Sequence, residues 1–124
     1  MTSMFSSSKF NGDISNWNTS KVQHMSNMFE HSKFNGDISN WDVHNVIDMT
    51  YMFAYSEFNG DISNWDVQNV INISHMFTFS KFKGNISKWK FNKDVKLKGF
   101  MPGINSLKDI NKLKLGKFRR LLDI

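Results

Sequence analysis

The sequence predicts an α/β solenoid of about five stacked 24-residue turns, each with a short parallel strand and a short helical or 3₁₀ return. Three observations predict it. The phrase Phe-Asn-Gly-Asp-Ile-Ser-Asn-Trp occurs at Phe10–Trp17, Phe34–Trp41 and Phe58–Trp65, and an edited copy runs from Phe82 to Trp89, each start 24 residues from the next. A Met-Phe pair keeps the same step at Met4, Met28, Met52 and Met76. Two apolar columns, Val22, Val46, Val70 and Met25, Met49, Ile73, do so as well. A fixed period of twenty to fifty residues is the mark of a stacked-repeat architecture, in which each unit buries its apolar face against its neighbours.

One unit, from Phe34 to Glu57, gives the elements in order. Asn35-Gly36 reads as a tight turn, because both residue types tolerate positive φ. Ile38, Trp41 and Val43 follow as apolar–x–x–apolar–x–apolar, the strand pattern of leucine-rich repeats. Trp41 and Val43 alternate with Asp42 and so point inward from one strand, with Ser39, Asn40, Asp42 and His44 outside. Val46, Met49, Met52 and Phe53 have the spacing of a helical or 3₁₀ return. Phe58 closes the unit and opens the next. The expected fold is therefore a leucine-rich-repeat-like solenoid.

Residues 1–89 are regular repeats, the first of them partial, and residues 90–124 form a diverged, basic C-terminal repeat or cap within one structural domain. Ile110 extends the column of Ile14, Ile38, Ile62 and Ile86. Leu113 extends the tryptophan column, and Leu115 the column of Thr19, Val43, Val67 and Phe91. This unbroken register, with Gly116, favours a fifth turn over a helix, although Ser106 with Asp109 matches a capping box and Leu107, Ile110 and Leu113 suit one helix face.

The motif Met-Phe-x-x-Ser-x-Phe-Asn-Gly-Asp-Ile-Ser-Asn-Trp-Asp-Val-x-Asn-Val resembles the repeat of BspA-like surface proteins, which is abundant in mycoplasma surface lipoproteins and has counterparts in large DNA viruses of amoebae. The resemblance covers Met4–Trp89. It implies a leucine-rich-repeat-like solenoid and a role in adhesion or protein binding.

Composition narrows the function. Hydrophobic residues at 40% and aromatics at 15% mark a folded chain. With no cysteine, disulfides and thiolate metal sites are excluded. Neither an apolar signal-peptide core nor a stretch of membrane-spanning length is visible, so a soluble chain is expected. The net charge of +5 is lopsided: residues 1–89 carry six lysines against eight carboxylates, and residues 90–124 carry ten lysines and arginines against three aspartates. A basic end, Lys108–Arg120, can engage nucleic acid or another anionic partner, or can simply keep a terminal unit solvated.

Candidate chemistry is sparse. Trp17, Trp41, Trp65 and Trp89 occupy the inward slot and read as core. Asp13, Asp37 and Asp61, with Asn85, form a column about 5 Å apart by the spacing of stacked strands, and read as caps of backbone N–H groups in their own turns. His24, His31, His44 and His75 fall in four different slots and cannot converge as a metal column. No nucleophile elbow or phosphate loop occurs, so no catalytic residue, cofactor or metal is expected. The outward polar positions remain: Asn16, Asn40, Asp42, His44, Asn64, Asp66, Gln68, Lys88 and Lys90 are the expected contacts for a protein partner. Met1 enters midway through a unit, so an exposed first edge is expected, open to end-to-end self-association or belonging to a longer array.

Overall fold

The computed structural model describes residues 1–114. Successive 24-residue units lie against one another in register. Isolated parallel bridges join His24 to Asp48, Asp48 to Asn72 and Asn72 to Lys96. Beside them runs a ladder of backbone hydrogen bonds. The N–H groups of Met25, Asn27, Phe29 and His31 donate to the carbonyls of Asp48, Thr50, Met52 and Ala54, and those of Met49, Tyr51, Phe53 and Tyr55 to Asn72, Ser74, Met76 and Thr78.

The alternate N–H groups stay within the unit. Met28, Glu30 and Ser32 donate three residues back to Met25, Asn27 and Phe29, and Met52, Ala54 and Ser56 repeat the pattern. The expected helical return is therefore a ribbon of successive turns that shares its donors between itself and the next unit. Left-handed residues at every fourth position make this sharing work. Ser3, Asn27, Tyr51, His75 and Gly99 form one positive-φ column, and Ser7, His31, Tyr55, Phe79 and Gly103 form another. The eight residues other than glycine have φ between 50° and 58°. Each costs on the order of 1–2 kcal/mol against an ordinary conformation. That cost is offset by the N–H groups it aims at the neighbouring unit and by the side chains it packs, among them Met28, Phe29, Met52 and Phe53, all fully buried.

The expected strand also differs from the structure. Ile38, Trp41 and Val43 are buried as the pattern requires, but the chain bends between them. The Trp41 N–H donates to Ile38 O at 3.1 Å and the Val46 N–H to Val43 O at 3.0 Å. Strand-type bridging between units sits instead in the column of His24, Asp48, Asn72 and Lys96, as isolated parallel bridges at the start of the hydrogen-bond ladder.

Side chains tie each bend. Ser32 and Ser56 Oγ accept the N–H of Phe34 and Phe58. Asp37 Oδ1 accepts both the N–H (2.9 Å) and the hydroxyl (2.6 Å) of Ser39. Asp48 Oδ1 accepts the N–H and hydroxyl of Thr50. Short polar side chains bonding two residues ahead compete with helix and sheet, which is why so much of the chain is turn.

The core is a set of stacked aromatic columns. Phe5, Phe29, Phe53 and Phe77 stack at 5.5–5.8 Å. Phe10, Phe34, Phe58 and Phe82 stack at 6.3–6.4 Å. The two columns meet within each unit, as in Phe53–Phe58 at 4.5 Å. Trp41, Trp65 and Trp89 are buried beside them, and each indole N–H donates to a carbonyl of the preceding unit: Ile14, Ile38 and Ile62. The Asn-Gly pair is not the expected tight turn. Neither Asn35 nor Gly36 has positive φ. Gly36 is required because the Phe34 ring folds over it, and a Cβ there would lie 2.8 Å from Phe34 Cε1.

The first unit leaves Met4, Phe10 and Trp17 36–49% exposed. The other end is closed. Leu97, Phe100 and Met101 continue the core columns, an antiparallel bridge joins Met101 to Ile104, and helix α1 runs over Leu107–Lys114. The continued turn expected here gives way to α1, whose N-terminus is capped by Ser106: the Asp109 N–H donates to Ser106 Oγ, and Asp109 Oδ2 reaches one residue further back than in a capping box, to accept the Asn105 N–H. Ile110 is buried as expected, but from a helix, and α1 caps the stack. The expectations for Leu115 and Gly116 lie outside the described residues.

Candidate partner-binding face

Two rows of turns carry six of the nine expected contact residues, and Asp42, Asp66 and Lys90 lie between the rows. Asn40, Asn64 and Lys88 lie in the bends at 39–40, 63–64 and 87–88, His44 and Gln68 in those at 44–45 and 68–69, and all nine are exposed. The rows stay aligned through bonds between units. The Asn45 side-chain amide donates to Ser20 O at 2.6 Å, and that of Asn69 to His44 O at 2.7 Å. His44 Nδ1 lies 3.2 Å from Asp66 Oδ2, so two expected contact residues of adjacent units touch.

Asp42 and Asp66 have structural duties as well. Asp42 Oδ1 accepts the His44 N–H at 3.0 Å and Asp66 Oδ1 accepts the Gln68 N–H at 3.1 Å, as Asn18 does for Ser20. At the same place in the next unit Lys90 has no acceptor. The cap passes to Asn92, which takes the Asp94 N–H at 2.8 Å, and the turn before Val95 falls one residue later. Lys90 therefore sits where the regular bend gives way, whereas Lys88 lies in a bend that keeps the regular pattern, with the Trp89 N–H on Ile86 O at 3.0 Å.

The Asp column behaves as the turn chemistry predicts. Asp13, Asp37 and Asp61 each accept the N–H of the serine two residues on, and Asn85 does the same for Ser87 at 2.8 Å. Hydrogen bonds from those serines, the hydroxyl first and then the N–H, hold all three carboxyls below the ordinary range. At Asp37 they outweigh the like charges of Asp13 and Asp61. A carboxyl whose pKa is depressed in the folded chain adds stability above its unfolded value and loses it as pH falls through the folded value. Stability should thus be flat at neutral pH and fall below about pH 4. In urea titrations, a triple variant with Asp13→Asn, Asp37→Asn and Asp61→Asn should fold and show a shallower acid decline, as Asn85 already caps without charge. An unchanged decline would place the acid sensitivity elsewhere.

Sequence reasoning missed the surface aromatic columns. His31 stacks on Tyr55 at 4.5 Å, Tyr55 on Phe79 at 5.4 Å, and Tyr51 on His75 at 4.8 Å. The available signal was the glycine pair, Gly99 and Gly103, standing in register with residues of other types. Among the described residues no group of three or more His, Asp or Glu side chains could hold a metal ion, and no helix is long and apolar enough to cross a membrane. The basic stretch is described as far as Lys114. Arg119 and Arg120 lie outside the described residues.

In-register 24-residue units, held by a shared backbone ladder and aromatic columns, define a repeat protein. The chain belongs to the family described as Mycoplasma protein of unknown function, DUF285, which matches residues 1–113. No curated protein and no solved structure matches it.

Proposed function

We propose that the chain is a non-catalytic solenoid scaffold, of the BspA-like kind within its family, that binds another protein through the turn-borne polar face. The observation that carries this reading is the contrast between columns. Buried positions repeat nearly unchanged, while two outward columns vary, one carrying half-buried Ser20 and exposed His44 and Gln68, the other Asn18, Asp42, Asp66 and Lys90, beside a constant exposed column of Asn16, Asn40 and Asn64 that turns to Lys88. A rigid frame that presents variable side chains in file is how stacked repeats bind partners.

The test separates charge from turn capping. Asp42→Asn with Asp66→Asn keeps an acceptor for the His44 and Gln68 N–H groups, and Lys88→Gln with Lys90→Gln removes the basic end of the face. The fourfold variant should melt within about 2 °C of the parent, since exposed substitutions usually change stability by less than about 0.5 kcal/mol. It should also lose the proteins that the parent captures and cross-links in extracts of its source organism. Undiminished capture by a folded fourfold variant would refute the assignment.

A further inference from the structure

One surface column ends one rung short. His31, Tyr55 and Phe79 stack face to face, with interplanar angles of 7° and 24°. All three are exposed, and exposure rises from 45% at Tyr55 to 80% at Phe79. The next residue in register is Gly103, which keeps the left-handed backbone (φ 79°) but has no side chain. A cleft of about 670 Å³ opens here, lined by Phe77, Phe79, Phe82, Met101, Pro102 and Gly103 on its apolar side. The companion column shows no such gap. There the His75 ring leans over Gly99, so that a Cβ on Gly99 would lie 2.4 Å from His75 Nδ1.

We propose that this cleft binds an aromatic side chain of a partner polypeptide, stacked on Phe79 as the missing rung and flanked by acidic residues. Planar rings prefer the offset-stacked contact that Phe79 offers on its open face. The cleft is larger than one ring and lies within the range of ligand sites, so the flanking peptide fits as well. Among the described residues its ionisable lining is Lys83 and His75, with no carboxylate, so the charge it complements is negative. The site shares no residue with the polar face, and its test reads independently of that reading.

The probe is a blocked tripeptide with tyrosine between two glutamates, titrated into the full chain by calorimetry and followed by aromatic NMR shifts. The parent should bind it, and Phe79→Ala should weaken binding at least tenfold while leaving the melting temperature nearly unchanged. Phe79→Trp should restore it. Gly103→Tyr, which supplies the rung in cis at a backbone conformation the chain already gives Tyr55, should abolish binding. Alanine in place of the peptide's tyrosine, or lysines in place of its glutamates, should lower affinity to a similar degree. The proposal fails if the parent does not bind the tripeptide, if Phe79→Ala binds it equally well, or if the alanine peptide binds as well as the tyrosine peptide. It also fails if free 4-hydroxyphenylacetate binds as tightly as the peptide, which would make the cleft a small-molecule site.

Discussion

Trp41→Ala lowers the free energy of unfolding by about 3–5 kcal/mol, the range for deleting a large buried aromatic. Trp41 is 4% exposed. Its ring lies parallel to that of Trp17 at 6.5 Å and tilted against Phe29 at 6.2 Å. The substitution empties that volume between two units, and collapse is resisted because the flanking columns are anchored by backbone bonds on both sides. It also removes one donor to Ile14 O, a 3.0 Å bond that crosses from one unit to the next, although that carbonyl keeps the Trp17 N–H at 3.2 Å, so the lost bond itself adds only about 0.5–1.5 kcal/mol. A domain of this size has only about 5–15 kcal/mol in total, so the variant should be close to unfolding at 37 °C. Trp17→Ala is the internal control. At 39% exposure it has less to lose, and its cost should be less than half as large. Urea melts followed through the remaining indoles measure both, and equal costs at the two positions would contradict the burial gradient.

Gly60→Ala adds one methyl group and should cost about 1–3 kcal/mol, the usual penalty for overpacking. The new Cβ would stand 2.7 Å from Phe58 Cε1 and 2.8 Å from Cζ. Phe58 cannot retreat. It is fully buried, with Phe34 and Phe82 at 6.3 Å on either side and Phe53 at 4.5 Å. The same change at Gly12 faces the Phe10 ring at the same 2.8 Å, but Phe10 is 36% exposed and free to swing outward. Gly12→Ala should therefore cost well under 1 kcal/mol. Pairing Gly60→Ala with Phe58→Leu should recover part of the loss, because the two substitutions share one contact. Strict additivity in that cycle would mean that the ring is not what the glycine accommodates.

The inward columns were readable from the sequence because burial in a stack is periodic. Ile38, Trp41, Val43, Met49 and Phe53 repeat every 24 residues and are all buried. The capping role of the Asp13 column was readable too, because Asp two residues ahead of Ser is local turn chemistry. The conformation of the return was not. Left-handed backbone is ordinarily signalled by Gly or Asn, and here Tyr51, Tyr55, His75 and Phe79 adopt it under the demands of the ladder. Apolar spacing alone cannot distinguish such a ribbon from a helix. Asn35-Gly36 misled for a related reason. It looks like turn punctuation, whereas the glycine answers to a ring two residues earlier. At the C-terminal end the capping signal of Ser106 and Asp109 was visible, and the persistence of register outweighed it although Ser106 does cap a helix there. The polar candidates were legible as exposed positions, but the structural duties of Asp42 and Asp66 depend on side-chain geometry that spacing does not encode.

The ladder has a kinetic consequence. Its backbone bonds join residues 23 positions apart, as from Met25 to Asp48 and from Phe53 to Met76. Every such closure therefore spans about the same length of chain, and the entropy of closing it does not grow as further units are added. Lengthening such an array leaves the mean sequence separation of its contacts nearly constant, while the relative contact order falls. Assembly can begin at any neighbouring pair and spread outward like a zipper.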